Sequence, residues 1–217
     1  YSAPKSGGDG PRGLADVEGE RALLPYALAP ETFYDSLEYH LGLPRLYLLR
    51  GRIGPVPDNA FAGVPSLPAM VYGWSLALNA GGTAAHLLNL LWLLAGGAAV
   101  AGLGRRLGSP ATGGLAAALL ADSPCVASAA NMTGVELAWA LFQTTALAVL
   151  LGAAGERAKA GPWLAAGFLI GGAMATKNLA WGLPAAALAG AWAAGGRPPL
   201  RCAAWAAAGA AAVLAPW

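Results

Sequence analysis

From Phe61 to Trp217 the chain carries only three acidic side chains, Asp122, Glu136 and Glu156, set among long runs of Ala, Leu, Gly and Trp. Spanning the hydrocarbon core of a bilayer takes about 20 helical residues, fewer where the bilayer thins or neighbours shield a short segment. Several runs meet that requirement. Thr83 to Leu103, Val135 to Ala154, Leu179 to Ala194 and Leu200 to Trp217 are the clearest predicted spans. The Gly-rich stretches Ala111 to Ala121 and Trp163 to Ala175 are expected to cross as well, and Pro65 to Asn79 reads as a helix entering from the interface. Charged residues make up 11% of the chain, against about a quarter in a soluble domain. The other eight acidic residues all precede Phe61, so the composition changes once. The sequence therefore predicts an all-α, polytopic transmembrane bundle over residues 65–217, preceded by a polar segment, residues 1–64, that does not span.

The connectors set the orientation, because short cytoplasmic loops collect Lys and Arg. Arg105 with Arg106, Arg157 with Lys159, and Arg197 with Arg201 fall at every second turn, while the intervening connectors, Asp122 to Gly134 and Thr176 to Asn178, share one cation. This places residues 1–64, Asp122 and Lys177 together on the non-cytoplasmic face. The many Gly and Ala residues in the spans favour close helix packing, since lipid supplies no hydrophobic drive between helices.

A net charge of +2 with scattered basic residues gives no electrostatic footprint for nucleic acid. Cys125 and Cys202 show no metal or redox spacing and are predicted at opposite membrane faces, which argues against a disulfide or thiolate site. The chain opens on Tyr1 without a signal-peptide apolar region and ends inside an apolar run, so it reads as an internal piece of a longer protein. No repeat of fixed period is present. Tyr1 to Gly19, rich in Gly, Ser and Pro, reads as a poorly ordered loop or the end of an upstream element.

Within the polar segment, Phe33, Leu37 and Leu41 recur at four-residue steps and predict one apolar helical stripe between Thr32 and Leu41, with Asp35, Glu38 and Tyr39 on a polar face. Gly42 is suited to close this helix, and Pro44 to the first turn of a second, in which Arg45 to Arg52 interleaves leucines with arginines. Such a pair suits the interface plane.

The run Thr32-Phe33-Tyr34-Asp35-Ser36-Leu37-Glu38-Tyr39-His40-Leu41, followed by Gly42-Leu43-Pro44-Arg45-Leu46-Tyr47, resembles the membrane-embedded C-type glycosyltransferases. The likeness is to their bacterial branch, related to protein O-mannosyltransferases and lipid A aminoarabinose transferases. Members carry an aspartate, a Tyr-His-Leu and a Leu-Pro-x-x-Tyr in the first extracytoplasmic loop, matched here by Asp35, Tyr39-His40-Leu41, and Leu43-Pro44 with Tyr47. Leu103-Gly104-Arg105-Arg106-Leu107-Gly108 and Ala175-Thr176-Lys177-Asn178 resemble two later turns of the family. Where many relatives have Phe-Pro and then a polar or acidic residue, this chain reads Val64-Pro65-Ser66.

The resemblance implies a transferase that moves a sugar from a polyprenyl-phosphate carrier to an acceptor hydroxyl on a glycan, lipid or protein, at the outer face of a bacterial inner membrane. Asp35 would be the general base. A single base suffices because the phosphate leaves without protonation, unlike the two-carboxylate arrangement of glycoside hydrolysis. Spacing alone reads Asp35 as a helix-start carboxylate three residues after Thr32. Tyr39 lies in the matched run and is expected at the substrate. Glu38 could orient an acceptor, assist a divalent ion or stay solvated; His40 could meet phosphate or metal, or hydrogen-bond at the interface. The resemblance sets Lys177 against the lipid phosphate, a role Arg45 and Arg52 could share, whereas unaided reading makes Lys177 a snorkelling lysine and the arginines headgroup ligands. Glu136, near the outer start of a span, is the candidate partner of Lys177. Asn131-Met132-Thr133 matches a glycosylation pattern and is assigned no role, and the tryptophans are read as belt or packing residues. Two rivals stand beside the transferase: a multi-spanning transporter or flippase-like permease, and a non-catalytic scaffold.

Overall fold

The computed structural model describes residues 23–78, 81–153, 159–186, 190 and 200–217. Every regular element among them is helical: α1 (Leu23–Leu28), a π-helical turn (Ser36–His40), α2 (Gly42–Arg50), α3 (Leu67–Ala77), α4 (Gly81–Leu107), α5 (Pro110–Ala121), α6 (Pro124–Ala130), α7 (Glu136–Ala153), α8 (Ala160–Met174) and α9 (Leu200–Leu214), with 3₁₀ turns at Ala60–Gly63 and Asn178–Gly182. Tyr1 to Gly19, Arg157, Arg197 and parts of the Leu179 to Ala194 run lie outside the described residues.

Two helices, α4 and α7, are long and apolar enough to cross a membrane, and α5 with α6 makes a third if taken as one bent span. The 27 residues of α4 extend about 40 Å, whereas the 12 of α5 reach only about 18 Å. Ala111 to Ala121 is thus too short to cross alone, and it is a candidate span only together with α6. Pro124 has no N–H to give and disfavours helical backbone at Ser123, so α5 ends at Ala121 and α6 leaves at 64°. Outward leucines such as Leu91 and Leu94 on α4 and Leu115 and Leu119 on α5 leave the outer surface apolar, as a lipid-facing bundle requires.

The close contacts fix the helix directions. Gly104 of α4 meets Gly113 of α5, and Trp92 lies 6.4 Å from Phe142, while Arg106 reaches Ala148, so α4 and α7 run parallel. Phe142 touches Gly172 and Ala153 packs on Trp163, which makes α8 antiparallel to α7. α9 runs parallel to α8, Gly167 against Ala206 and Gly171 against Ala210. A Cβ on Gly171 would fall 2.8 Å from the Ala210 carbonyl oxygen, and one on Gly167 would strike the Ala206 carbonyl. Backbone contact this close is open only to glycine, and it gives the pair the dispersion contact that burial from water would give in a soluble core.

One end of the bundle thus gathers Arg105, Arg106, Pro162 and the start of α9; the other gathers the start of α4, the 131–136 turn, Lys177 and the described part of the polar segment. Three local readings are corrected at that polar end. Ser36 and His40, with Leu41, form the buried face of the first short helix, while Phe33 and Leu37 point outward. The cause is the π turn: the Leu41 N–H donates to Ser36 O, widening the helix, and the small Ser36 fits where its hydroxyl donates to the Thr133 carbonyl at 3.2 Å. Gly42 opens α2 instead of closing the helix before it, because a Cβ there would strike the Leu37 carbonyl. Finally, no side chain caps this turn, and Thr32 does not: Glu31 Oε1 accepts from the N–H of Thr32 at 2.9 Å and of Phe33 at 2.8 Å, both of which precede the helix.

Candidate active site

Two polar knots fix the polar end. Glu31 Oε2 lies 2.8 Å from His86 Nε2 on α4 and accepts from the Thr133 N–H at 2.7 Å, both side chains almost fully buried. Burial pushes the Glu31 carboxyl up, but His86 and the backbone N–H groups of Phe33 and Thr133 outweigh it and hold the group well below the usual carboxylate range. In the second knot the Tyr72 hydroxyl donates to Gly134 O at 2.6 Å and lies 3.3 Å from Asn89 Oδ1, while Asn89 Nδ2 donates to Ala129 O at 2.8 Å and Met132 O at 2.6 Å. Together they lock the polar segment and α3 onto the starts of α4 and α7. The Asn131-Met132-Thr133 pattern lies inside this packing, with Thr133 fully buried.

Above the knots opens a cleft of about 660 Å³ lined by Tyr39, His40, Tyr47, Ser66, Glu136 and Lys177 among others. Lys177 Nζ sits 2.9 Å from Glu136 Oε1, the pairing expected from sequence, and 5.5 Å from the Trp139 ring centroid. Glu136 Oε2 also accepts from the Val135 N–H at 3.0 Å, so this carboxylate is committed on both oxygens. Across the cleft the Tyr39 ring stacks on Phe61 with centroids 4.1 Å apart. Burial, with the Asp35 carboxylate beside the hydroxyl, raises the Tyr39 phenol above its ordinary value and keeps it protonated.

His40 is 6% exposed and its Nδ1 finds no hydrogen-bond partner among the described residues. Burial pushes its pKa down to about 4, against the upward pull of Glu136 and Asp35 and with a further downward push from Lys177. At neutral pH it is an uncharged imidazole, able to hydrogen-bond but not to act as a phosphate-binding cation.

Of the residues singled out from sequence, Tyr39, His40 and Lys177 line one cleft. Asp35, half-buried, stands one turn before Tyr39 and is not part of the lining. Glu38 is exposed, and its backbone carbonyl accepts from Asn59 Nδ2 at 3.4 Å. Arg45 is exposed on α2 away from the cleft, whereas Arg52 borders a small adjoining depression of about 140 Å³ with Arg50 and Pro55. No group of three His, Cys, Asp or Glu side chains among the described residues is placed to hold a metal ion. Reading the sequence missed Glu31, Tyr72 and Asn89. The signal for Asn89 was present: a carboxamide inside a predicted span calls for a buried partner. No family model matches the chain, and neither the curated proteins nor the solved structures contain a detectable match.

Proposed function

We propose that this chain forms part of an integral-membrane glycosyltransferase that moves a sugar from a polyprenyl-phosphate donor to an acceptor hydroxyl at the polar end of the bundle. The observation that carries the reading is the convergence of Tyr39 and His40 with the Lys177–Glu136 pair on one cleft, from segments far apart in sequence. Asp35 takes the proton of the acceptor hydroxyl as its oxygen attacks the anomeric carbon. The bond from that carbon to the phosphate oxygen breaks, and the lipid phosphate departs with the electron pair. Asp35, whose carboxylate stands beside the hydroxyl of the cleft residue Tyr39, is the carboxylate assigned to this task; Glu136 is already bound to Lys177 and Val135. Lys177, steadied by Glu136 and Trp139, stabilises the charge growing on the leaving phosphate. Apolar lining residues such as Leu43, Met70 and Leu179 suit the first units of a prenyl chain. The test is transfer from a polyprenyl-phosphate sugar by the full-length protein in proteoliposomes. Asp35→Asn is expected to lower turnover by about 100-fold or more, and Lys177→Met by about tenfold or more with little change in stability, since a half-exposed pair contributes under about 1 kcal/mol. Unchanged turnover in Asp35→Asn would remove that residue from the mechanism.

A permease is the second reading, favoured by the broken α5–α6 pair, because discontinuous helices recur at transport sites. It requires movement of labelled lipid-linked sugar across proteoliposomes without glycosidic bond formation, undiminished in Asp35→Asn.

A further inference from the structure

At the end of the bundle opposite the cleft, a groove of about 630 Å³ runs between α4, α7 and the start of α8. Its walls are small and apolar, Ala99 and Gly102 on α4 facing Ala148 and Gly152 on α7, and its mouth holds Arg105 and Arg106. Among the described residues the lining contains no carboxylate. Arg106 is not a freely moving surface arginine. Its Nη1 donates to the Ala148 carbonyl, and both terminal nitrogens lie 2.9 Å from where a Cβ on Gly152 would stand. The missing side chain at Gly152 is what lets the guanidinium lie against α7. One of five N–H donors is used by Ala148, leaving the others in fixed directions for an acceptor. Thr145 also lines the groove, one to two helical turns deeper, about 4 to 10 Å below the guanidinium along α7. Its hydroxyl oxygen is buried and has no hydrogen-bond partner among the described residues.

We infer that this groove is a binding site for an anionic membrane phospholipid. The phosphodiester meets the forked donors of Arg106 with Arg105 beside it, a glycerol ester carbonyl accepts from the Thr145 hydroxyl, and an acyl chain lies along the Ala and Gly wall. Three features at three depths match headgroup, ester and chain in order. A free phosphate would engage only the first. The depth of the groove and the orphaned hydroxyl favour the lipid, and the site is independent of the reaction at the other end of the bundle.

The test is native mass spectrometry of the full-length protein, delipidated in mild detergent and then titrated with phosphatidylglycerol, with phosphatidylcholine and with soluble glycerol phosphate. One phosphatidylglycerol per chain is expected, phosphatidylcholine binding at least about tenfold more weakly and glycerol phosphate failing to displace the lipid. Gly152→Leu, which keeps every charge but evicts the guanidinium, and Arg106→Lys, which keeps the charge but loses the fork, are each expected to lower occupancy about fivefold or more. Arg201→Gln removes an exposed cation at the start of α9 and is expected to leave occupancy unchanged. Arg106→Lys introduces no bulk at Gly152 and so decides the matter if Gly152→Leu fails to fold. Retention of the lipid by Arg106→Lys, or equal losses in Arg106→Lys and Arg201→Gln, would overturn the site in favour of diffuse surface charge. Displacement by glycerol phosphate would overturn the lipid assignment.

Discussion

The two ends of this molecule are held together by different physics. At the polar end, contacts between distant segments are directional: Glu31 to His86 and Thr133, Tyr72 and Asn89 to the 129–134 turn, Ser36 to Thr133, and Lys177 to Glu136. In the apolar body, α8 and α9 are joined by backbone approach at Gly167, Gly171 and Gly209 and by clusters such as Trp163 with Ala153 and Cys202. The difference follows from the solvent each region is built for. Where water is near, hydrogen bonds can specify a unique arrangement of short, irregular segments; where the surroundings are as apolar as the side chains, shape and close contact remain to select a partner.

Three perturbations sharpen that contrast. Gly167→Leu drives a side chain into the Ala206 carbonyl, and separation of α8 from α9 at a cost of about 3 kcal/mol or more is expected, read as loss of resistance to detergent denaturation with the polar end unaffected. The polar end should instead respond to pH. His40 has a folded pKa near 4 against 6.5 unfolded, so between these values the unfolded chain binds the extra proton, and stability falls as pH is lowered through the window. The full effect is about 3 kcal/mol, measured as a drop in melting temperature from pH 7 to pH 4 that His40→Gln flattens. Glu31, whose folded pKa is depressed, adds a loss of the same sign as pH falls below its unfolded value. Last, Asn89→Leu removes both donors to Ala129 and Met132 and orphans two part-buried carbonyls; about 2 kcal/mol is expected in thermal unfolding, with α8–α9 pairing intact.

Much of the body was legible because hydropathy marks where long apolar helices run. Thr83 to Leu103 and Val135 to Ala154 lie within or close to α4 and α7. Lys177 and Glu136 could be paired from sequence since each is a lone charge at the same predicted end. The polar segment was less legible. Phe33, Leu37 and Leu41 at four-residue steps suggested one apolar stripe, but a π turn and a carbonyl 97 residues away split it, burying Leu41 with Ser36 and His40. Glu31 acts through backbone N–H geometry, which leaves no periodic trace. The break at Ser123–Pro124 was written in the proline, whereas the parallel α8–α9 contact becomes readable from the glycines only once the two helices are known to be neighbours.

The central claim is that the polar segment and the turn at Lys177 share one face of the membrane, with Arg105 and Arg106 on the other. The direct measurement is labelling by a membrane-impermeant maleimide of Glu38→Cys, Asn178→Cys and Leu107→Cys, each in sealed vesicles after Cys125 and Cys202 have been replaced by Ser and Ala. The account predicts that positions 38 and 178 react from the same side and position 107 from the opposite one; labelling of 38 and 178 from opposite sides would contradict it.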